Sequence, residues 1–335
     1  MKLRDELAEA LSQIDLSEIN LYSKITSKSE IELFSSKITS KNEIEPLTIK
    51  IYNKADFLNE VYISEKKYNT LTAVLKNKKN IILQGAPGVG KTFAAKRLAY
   101  SMIGEKDESR IEFVQFHQNY SYEDFVMGYK PTKDGFALKS GIFYNFCKKA
   151  ADDSQGEYFF IIDEINRGNM SKIFGELLML IEKDYRGTSI KLAYNDENFS
   201  VPENLYIIGM MNTADRSLAM IDYALRRRFS FFDMEPAFDS DGFTEYQNQL
   251  SSETLDKLID KVKNLNRAIK EDSSLGKGFC IGHSYFCGCK APDCTDTWLK
   301  SIVDYDILPM LSEYWFDDTD KLQQWENILH GVFND

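Results

Sequence analysis

Between residues 80 and 232 the chain returns repeatedly to short, nearly unbroken apolar runs. They fall at residues 80–84, 111–116, 158–163, 205–211 and 229–232. Runs of that length without polar alternation mark strands buried on both faces, the condition of a parallel sheet covered by helices. Segments with helical spacing at residues 92–100, 171–182 and 218–226 separate them, and another at 65–75 precedes the first. This alternation predicts an α/β fold built on a doubly wound parallel five-stranded sheet. Two stretches read as hairpin insertions: 122–143, with Gly128, Pro131 and Asp134-Gly135, and 190–201. After Pro236 the strand pattern stops, and residues 252–270 and 298–314 predict a smaller C-terminal helical domain.

Before Phe57 the pattern changes. Leu3, Leu7 and Leu11 have helical spacing. A degenerate repeat follows, in which Ser23-Lys24-Ile25-Thr26-Ser27-Lys28 recurs as Ser36-Lys37-Ile38-Thr39-Ser40-Lys41. Units this short build no solenoid; the segment reads as a polar, weakly ordered arm or as a docking segment. The chain therefore divides into a polar N-terminal arm (1–56), an α/β domain (57–236) and a helical domain (237–335).

Composition narrows the class. With 335 residues, 43% of them hydrophobic, the chain can bury one large or two modest cores. A net charge of −11 gives no general nucleic-acid footprint and leaves only a local basic patch or the pore of an oligomer for that purpose. No apolar stretch approaches membrane-spanning length, and Met1-Lys2-Leu3-Arg4-Asp5-Glu6 has no signal-peptide pattern, so a soluble cytoplasmic protein is expected. Cys280, Cys287, Cys289 and Cys294 cluster around His283, but only Cys287-Gly288-Cys289 is tightly spaced. Reduced thiols are the expectation there, with metal binding left open.

Three segments carry the chemistry. Gly85-Ala86-Pro87-Gly88-Val89-Gly90-Lys91-Thr92 fits G-x-x-x-x-G-K-[ST] in full, after a strand and before a helix. Gly85, Gly88, Val89 and Gly90 bring backbone N–H groups to a phosphate chain, and the helix N-terminus, through Phe93, adds partial positive charge. Lys91 reaches the β- and γ-phosphates, and Thr92 ligates magnesium. The run 158–162 delivers Asp163-Glu164, one acid to hold Mg2+ through water and one to polarise the attacking water. The run 205–211 delivers Asn212, followed by Asp215 and Arg216, beside the first strand. Arg226-Arg227-Arg228 then closes a helix, either as dipole partners or as an arginine finger reaching a neighbouring subunit. Arg227 and Arg228 are the first choices for the finger and Arg226 the third.

These segments resemble the AAA+ superfamily and, within it, the McrB-type GTPases of modification-dependent restriction systems. Met211-Asn212-Thr213-Ala214-Asp215-Arg216-Ser217 is the narrowest match. Asp163-Glu164-Ile165-Asn166-Arg167-Gly168-Asn169, Ala224-Leu225-Arg226-Arg227-Arg228-Phe229 and Ile281-Gly282-His283-Ser284-Tyr285-Phe286 also match. The resemblance implies a ring, generally hexameric, that hydrolyses GTP and drives an McrC-like endonuclease partner along DNA. It places the base against Val61, Tyr62 and Ile63. The polar stretch before Phe57 does not match the DNA-reading domain often found in such proteins, so DNA recognition is expected on another subunit. Asn53-Lys54-Ala55-Asp56 has the letters of the N-K-x-D guanine motif but precedes the phosphate loop, and a chance match is expected. The alternatives are an ATP-dependent MoxR-like remodelling factor and a nucleotide-controlled assembly scaffold.

Overall fold

The computed structural model describes residues 50–215 and 223–334. The five apolar runs form strands β1 (Asn80–Gly85), β2 (Ile111–Gln115), β5 (Tyr158–Asp163), β8 (Leu205–Asn212) and β9 (Ser230–Met234). They make one sheet in the order β2-β5-β8-β1-β9, parallel throughout. Two hairpins stand apart, β3 (Met127–Thr132) with β4 (Gly135–Ser140) and β6 (Ile190–Lys191) with β7 (Asn198–Phe199).

The period of two within the central strands is visible in the core. Phe159, Ile161, Tyr206 and Ile208 enter one apolar cluster, whereas Phe160, Ile162 and Ile207 enter the other. Helix Lys91–Ile103 covers the first face through Ala95, Leu98 and Ala99. On the second face Phe125 stacks on Phe143 with ring centroids 4.7 Å apart, and Phe143 meets Phe160 edge-on at 5.0 Å. Both faces of β1, β5 and β8 are thereby dry, which is why these strands carry no polar alternation; the edge strands β2 and β9, expected to be buried as well, have only one covered edge and leave Phe113 and Phe231 exposed.

Register brings the chemistry to one edge. Gly85 of β1 pairs with Asn212 of β8, and Gln115 of β2 with Asp163 of β5. The C-terminal ends of β1, β5 and β8 thus open onto a common crevice, where ligands of open α/β sheets bind.

Three expectations change. Residues 171–182 are not one helix: Met170–Phe174 and Leu177–Leu180 are separated at Gly175, whose φ of +51° with ψ of −129° a side chain would resist. Residues 298–314 pass from Asp296–Ile302 through a wide π turn at Val303–Ile307 into Leu308–Tyr314. Pro309 has no N–H to continue an ordinary turn and its ring crowds the carbonyl four residues back, so the wider turn relieves both. Finally, the ordered fold reaches N-terminally past Phe57. Tyr52 is 1% exposed and packs edge-on against Tyr100, and helix Lys54–Glu60 begins with a capping box. Asn53 Oδ1 accepts from Ala55 N–H at 2.7 Å, and Asp56 Oδ2 accepts from Asn53 N–H at 2.8 Å. The N-K-x-D letters are therefore a helix start. The repeat and the rest of the N-terminal arm lie outside the described residues.

The helical region does not build a core of its own. Helix Glu253–Glu271 presents Leu255, Leu258, Ile259, Val262, Leu265 and Ile269 along one stripe. That stripe joins the same apolar cluster as Ile81, Leu83 and Met234 of the sheet. Among the described residues no helix is long and apolar enough to cross a membrane.

Candidate functional site

The loop after β1 is held in a shape that requires glycine. Gly88 and Gly90 have φ of +74° and +77°, and Val89 between them is fully buried, which pins the loop to the core. Gly90 caps helix Lys91–Ile103, so free N–H groups of its first turn face the crevice. Thr92 and Phe93 stand exposed in that turn, with the Arg97 guanidinium over the Phe93 ring. Lys91 folds inward and is only 9% exposed. Its ammonium donates to Gly85 O at 3.0 Å, Ala86 O at 2.9 Å and Asn212 Oδ1 at 2.6 Å. Burial pulls its pKa down to about 8, against the opposing pull of Glu164 and Asp163.

The same Asn212 amide continues the chain of contacts. Its Nδ2 donates to Glu164 Oε1 at 2.7 Å. Glu164 sits at φ +49°, a left-handed conformation that a glutamate adopts at a cost of about 1–3 kcal/mol and that the surrounding contacts must hold. Its other oxygen, Oε2, is buried and lies 3.2 Å from Arg167 Nε, an ion pair that does not reach hydrogen-bond geometry. Oε2 therefore has acceptor capacity unfilled. Asp163 beside it accepts from Glu164 N–H at 3.0 Å, and burial raises its pKa. A desolvated carboxyl and an exposed threonine hydroxyl at the loop's end fit a hydrated divalent cation.

Arg167 is the residue that sequence reasoning quoted without giving it work. Besides Glu164 it reaches Asp215, with Nη2 3.2 Å from Oδ2. Asp215 pairs with Arg167 in the fold; Arg216 and Ser217 lie outside the described residues. The signal in sequence is the spacing Glu164-x-x-Arg167, which one tight turn brings together. Thr213 turns elsewhere: its hydroxyl donates to Gly278 O at 3.0 Å and so ties the end of β8 to the helical region.

The segment Ile281 to Phe286 seats directly on the phosphate loop. Ser284 N–H donates to Gly88 O at 2.8 Å, and a Cβ on Gly282 would stand 1.9 Å from Gly88 C. Tyr285 lays its ring against Gly88. Tyr62 packs against His283 with ring centroids 5.6 Å apart, and Val61 is buried. Tyr62 and Ile63 also line a cleft of about 850 Å³ with Ser240, Asp241 and Tyr246.

The arginines are not brought to their own phosphate loop. Asn80 Nδ2 donates to Arg228 O at 3.1 Å, which places them at the start of β1, a strand's length from Gly85. Arg228 is 9% exposed, donates through Nε to Leu178 O at 2.8 Å and pairs with Glu182 at 2.8 Å. Arg227 is 72% exposed, 3.5 Å from the same carboxylate. Arg226 is also exposed. The cysteines are free thiols, and no group of three or more His, Cys, Asp or Glu able to hold a metal occurs among the described residues.

Comparison with known proteins agrees with this arrangement. Residues 80–229 match the AAA domain of the dynein-related subfamily, and residues 257–323 match the alpha-helical lid domain of McrB. The type IV methyl-directed restriction enzyme EcoKMcrB subunit of Escherichia coli K12 is 55% identical over 291 residues, 84% of this chain and 63% of that protein. The type II restriction enzyme BsuMI component YdiS of Bacillus subtilis 168 is 27% identical over 210 residues, 50% of this chain and 61% of that one. The chain thus spans just under two thirds of the length of these relatives. With a phosphate loop, an acid pair and an Asn-Thr-Ala-Asp strand end converging under an McrB-like lid, the chain belongs to the McrB-type AAA+ proteins.

Proposed function

We propose that the protein is a nucleoside-triphosphate-hydrolysing motor subunit of a restriction complex, with GTP as its substrate. The observation that carries this is the contact chain Lys91–Asn212–Glu164, which ends in a buried carboxylate oxygen with acceptor capacity to spare. Glu164 Oε2 is suited to accept a proton from an attacking water and hold it in line with the terminal phosphate. Asn212 fixes the carboxylate and the ammonium relative to one another. Lys91 leaves its carbonyl cage for the β- and γ-phosphate oxygens, which replace those acceptors with charged ones. Thr92 and Asp163 would hold Mg2+, which offsets charge on the phosphate oxygens when bound.

GTP is favoured over ATP by family membership, with Tyr62 and Ile63 as the base-side wall. Assembly into a ring, a hexamer by analogy, gives Arg227 its role: exposed and remote from its own loop, it is placed to serve a neighbour's. The partner is an McrC-like endonuclease, and DNA is engaged through the complex. Turnover of GTP and ATP by the full chain, with and without a co-encoded McrC-like subunit, tests the proposal. GTP turnover that rises with the partner is expected. Preference for ATP with no response to any nuclease subunit would overturn it.

A further inference from the structure

Two buried polar side chains lie at the far end of β1 from the phosphate loop and take no part in the proposed hydrolysis. Asn80 opens β1 and is fully buried, and Arg186 is 6% exposed. They bond to one another and to two carbonyls. Asn80 Oδ1 accepts from Arg186 Nη2 at 2.6 Å, while Asn80 Nδ2 donates to Ile181 O at 2.7 Å and to Arg228 O at 3.1 Å. Arg186 Nε donates to the same Ile181 O at 3.0 Å, and its Nη1 is buried without a hydrogen-bond partner among the described residues. Burial pulls the Arg186 pKa down to about 10, which still leaves the guanidinium charged near neutral pH. A buried cation held by a neutral amide and a carbonyl is a poor source of stability, since apolar residues of similar volume often serve a fold as well.

The pair does fix a position, and the position is that of the arginines. Arg228 has its N–H on Leu225 O at 2.9 Å and its carbonyl on Asn80, and Phe229 beside it is buried. Ser230 then enters the sheet opposite Ile81, the residue after Asn80. Glu182, next to Ile181, pairs with Arg228 Nη2 at 2.8 Å and stands 3.5 Å from Arg227 Nη2. The Arg227 side chain leaves this cluster for solvent and is 72% exposed, so a free guanidinium stands on a fixed backbone.

We propose that Asn80 and Arg186 are positioning residues for hydrolysis in a neighbouring subunit, fixing the backbone at Arg228 so that the Arg227 guanidinium arrives at the neighbour's terminal phosphate in a set place. This rests on the reading of Arg227 as an arginine that serves another subunit's site. A charge that stabilises a transition state acts through distance, and a displacement of about 1 Å can cost about 100-fold in rate. The root of a long side chain is the part that the fold can hold. Because Asn80 opens the strand that ends at Gly85, one strand carries the arginine's anchor at its start and the phosphate loop at its end.

Asn80→Asp keeps an acceptor for Arg186, now as an ion pair, and removes the donor that holds Arg228 O and Ile181 O. Arg186→Met keeps volume and removes the guanidinium that orients the amide. Each full-length variant is expected to bind fluorescent mant-GDP within about twofold of the parent and to lose about 10–100-fold in turnover at saturating GTP. A structural defect could also lower turnover, so mixing decides. Asn80→Asp combined with Lys91→Ala protein should regain turnover, because its loops are sound and the Lys91→Ala subunits carry well-placed arginines. Combined with Arg227→Ala it should not, because neither protein supplies a working arginine. Arg186→Met should give the same pattern. The opposite pattern would place the fault in the variant's own phosphate loop. Recovery with both partners, or with neither in mixed rings seen by native mass spectrometry, would mark a general defect. Each of these results overturns the proposal. Arg227→Ala run alone separates the two levels: if it turns over normally, the reading of Arg227 falls and takes this one with it; if it is inactive while Asn80→Asp is fully active, only the Asn80–Arg186 assignment falls.

Discussion

Lys91 is held away from its ordinary protonation range and Glu164 in a left-handed backbone conformation, and the role of each is open to measurement. Burial brings the Lys91 pKa to about 8 in the nucleotide-free protein. Phosphate binding needs the ammonium and keeps it charged, so binding takes up a proton once pH exceeds that value. Affinity is therefore expected to be flat below about pH 8 and to fall by about tenfold per unit above it, read by mant-GDP titration and by proton uptake in calorimetry. Glu164 is held by Asn212 on one oxygen and faced by Arg167 on the other. Glu164→Gln should leave nucleotide affinity intact and cut single-turnover hydrolysis by about 10²–10⁴-fold. Arg167→Ala should act in the same direction through positioning, with a loss of about 10–100-fold in turnover at near-normal affinity. A loss of affinity with turnover intact at saturation would move Arg167 from positioning to binding.

At the scale of elements, two short motifs account for how the pieces are joined. The Asn53 capping box starts helix Lys54–Glu60. Asn53→Ala is expected to lower stability by about 1 kcal/mol in urea unfolding and to leave GTP and GDP affinity unchanged. A selective loss of guanine-nucleotide affinity would reinstate the N-K-x-D interpretation. Gly282 lets the lid backbone touch the phosphate loop, and a Cβ there would stand 1.9 Å from Gly88 C. Gly282→Ala should therefore push lid and loop apart, costing about 1–3 kcal/mol of stability and weakening nucleotide binding together. Thr213 makes the complementary link, from the end of β8 to Gly278. The lid is thus fastened both to the loop that binds and to the strand end that carries Asn212.

For the whole molecule the arginines decide whether catalysis needs more than one copy. Arg228 is committed to Leu178 O and Glu182 within its own chain, whereas Arg227 is largely in solvent. Arg228→Ala is expected to lower Tm. Arg227→Ala should keep Tm and nucleotide affinity and lose about 10³–10⁵-fold in turnover. Mixing Arg227→Ala with Lys91→Ala protein should restore part of the activity, because some composite sites then combine a sound loop with a sound finger. Mixed rings detected by native mass spectrometry without any recovery would confine Arg227 to its own subunit.

Contiguous residues determined what contiguous residues can encode. The apolar runs fixed five strands: β1, β5 and β8 are buried on both faces and leave no place for polar alternation, whereas β2 and β9, at the sheet's edges, are partly exposed. The glycines and lysine of the loop, the acids ending one run and Asn212 ending another were legible because each motif is local to a strand exit. Tertiary structure decided which of these touch. Asn212 meets Lys91 and Glu164 only through the order β5-β8-β1 and a register that sets Gly85 opposite Asn212. Arg167 gained its role from a turn that points it at both Glu164 and Asp215. Gly282 and His283 meet the phosphate loop across nearly the whole nucleotide-binding fold. Local pattern fixes which groups stand at the ends of elements; the packing of distant elements fixes the distances between those groups, and hydrogen bonding at this site depends on those distances to a few tenths of an ångström.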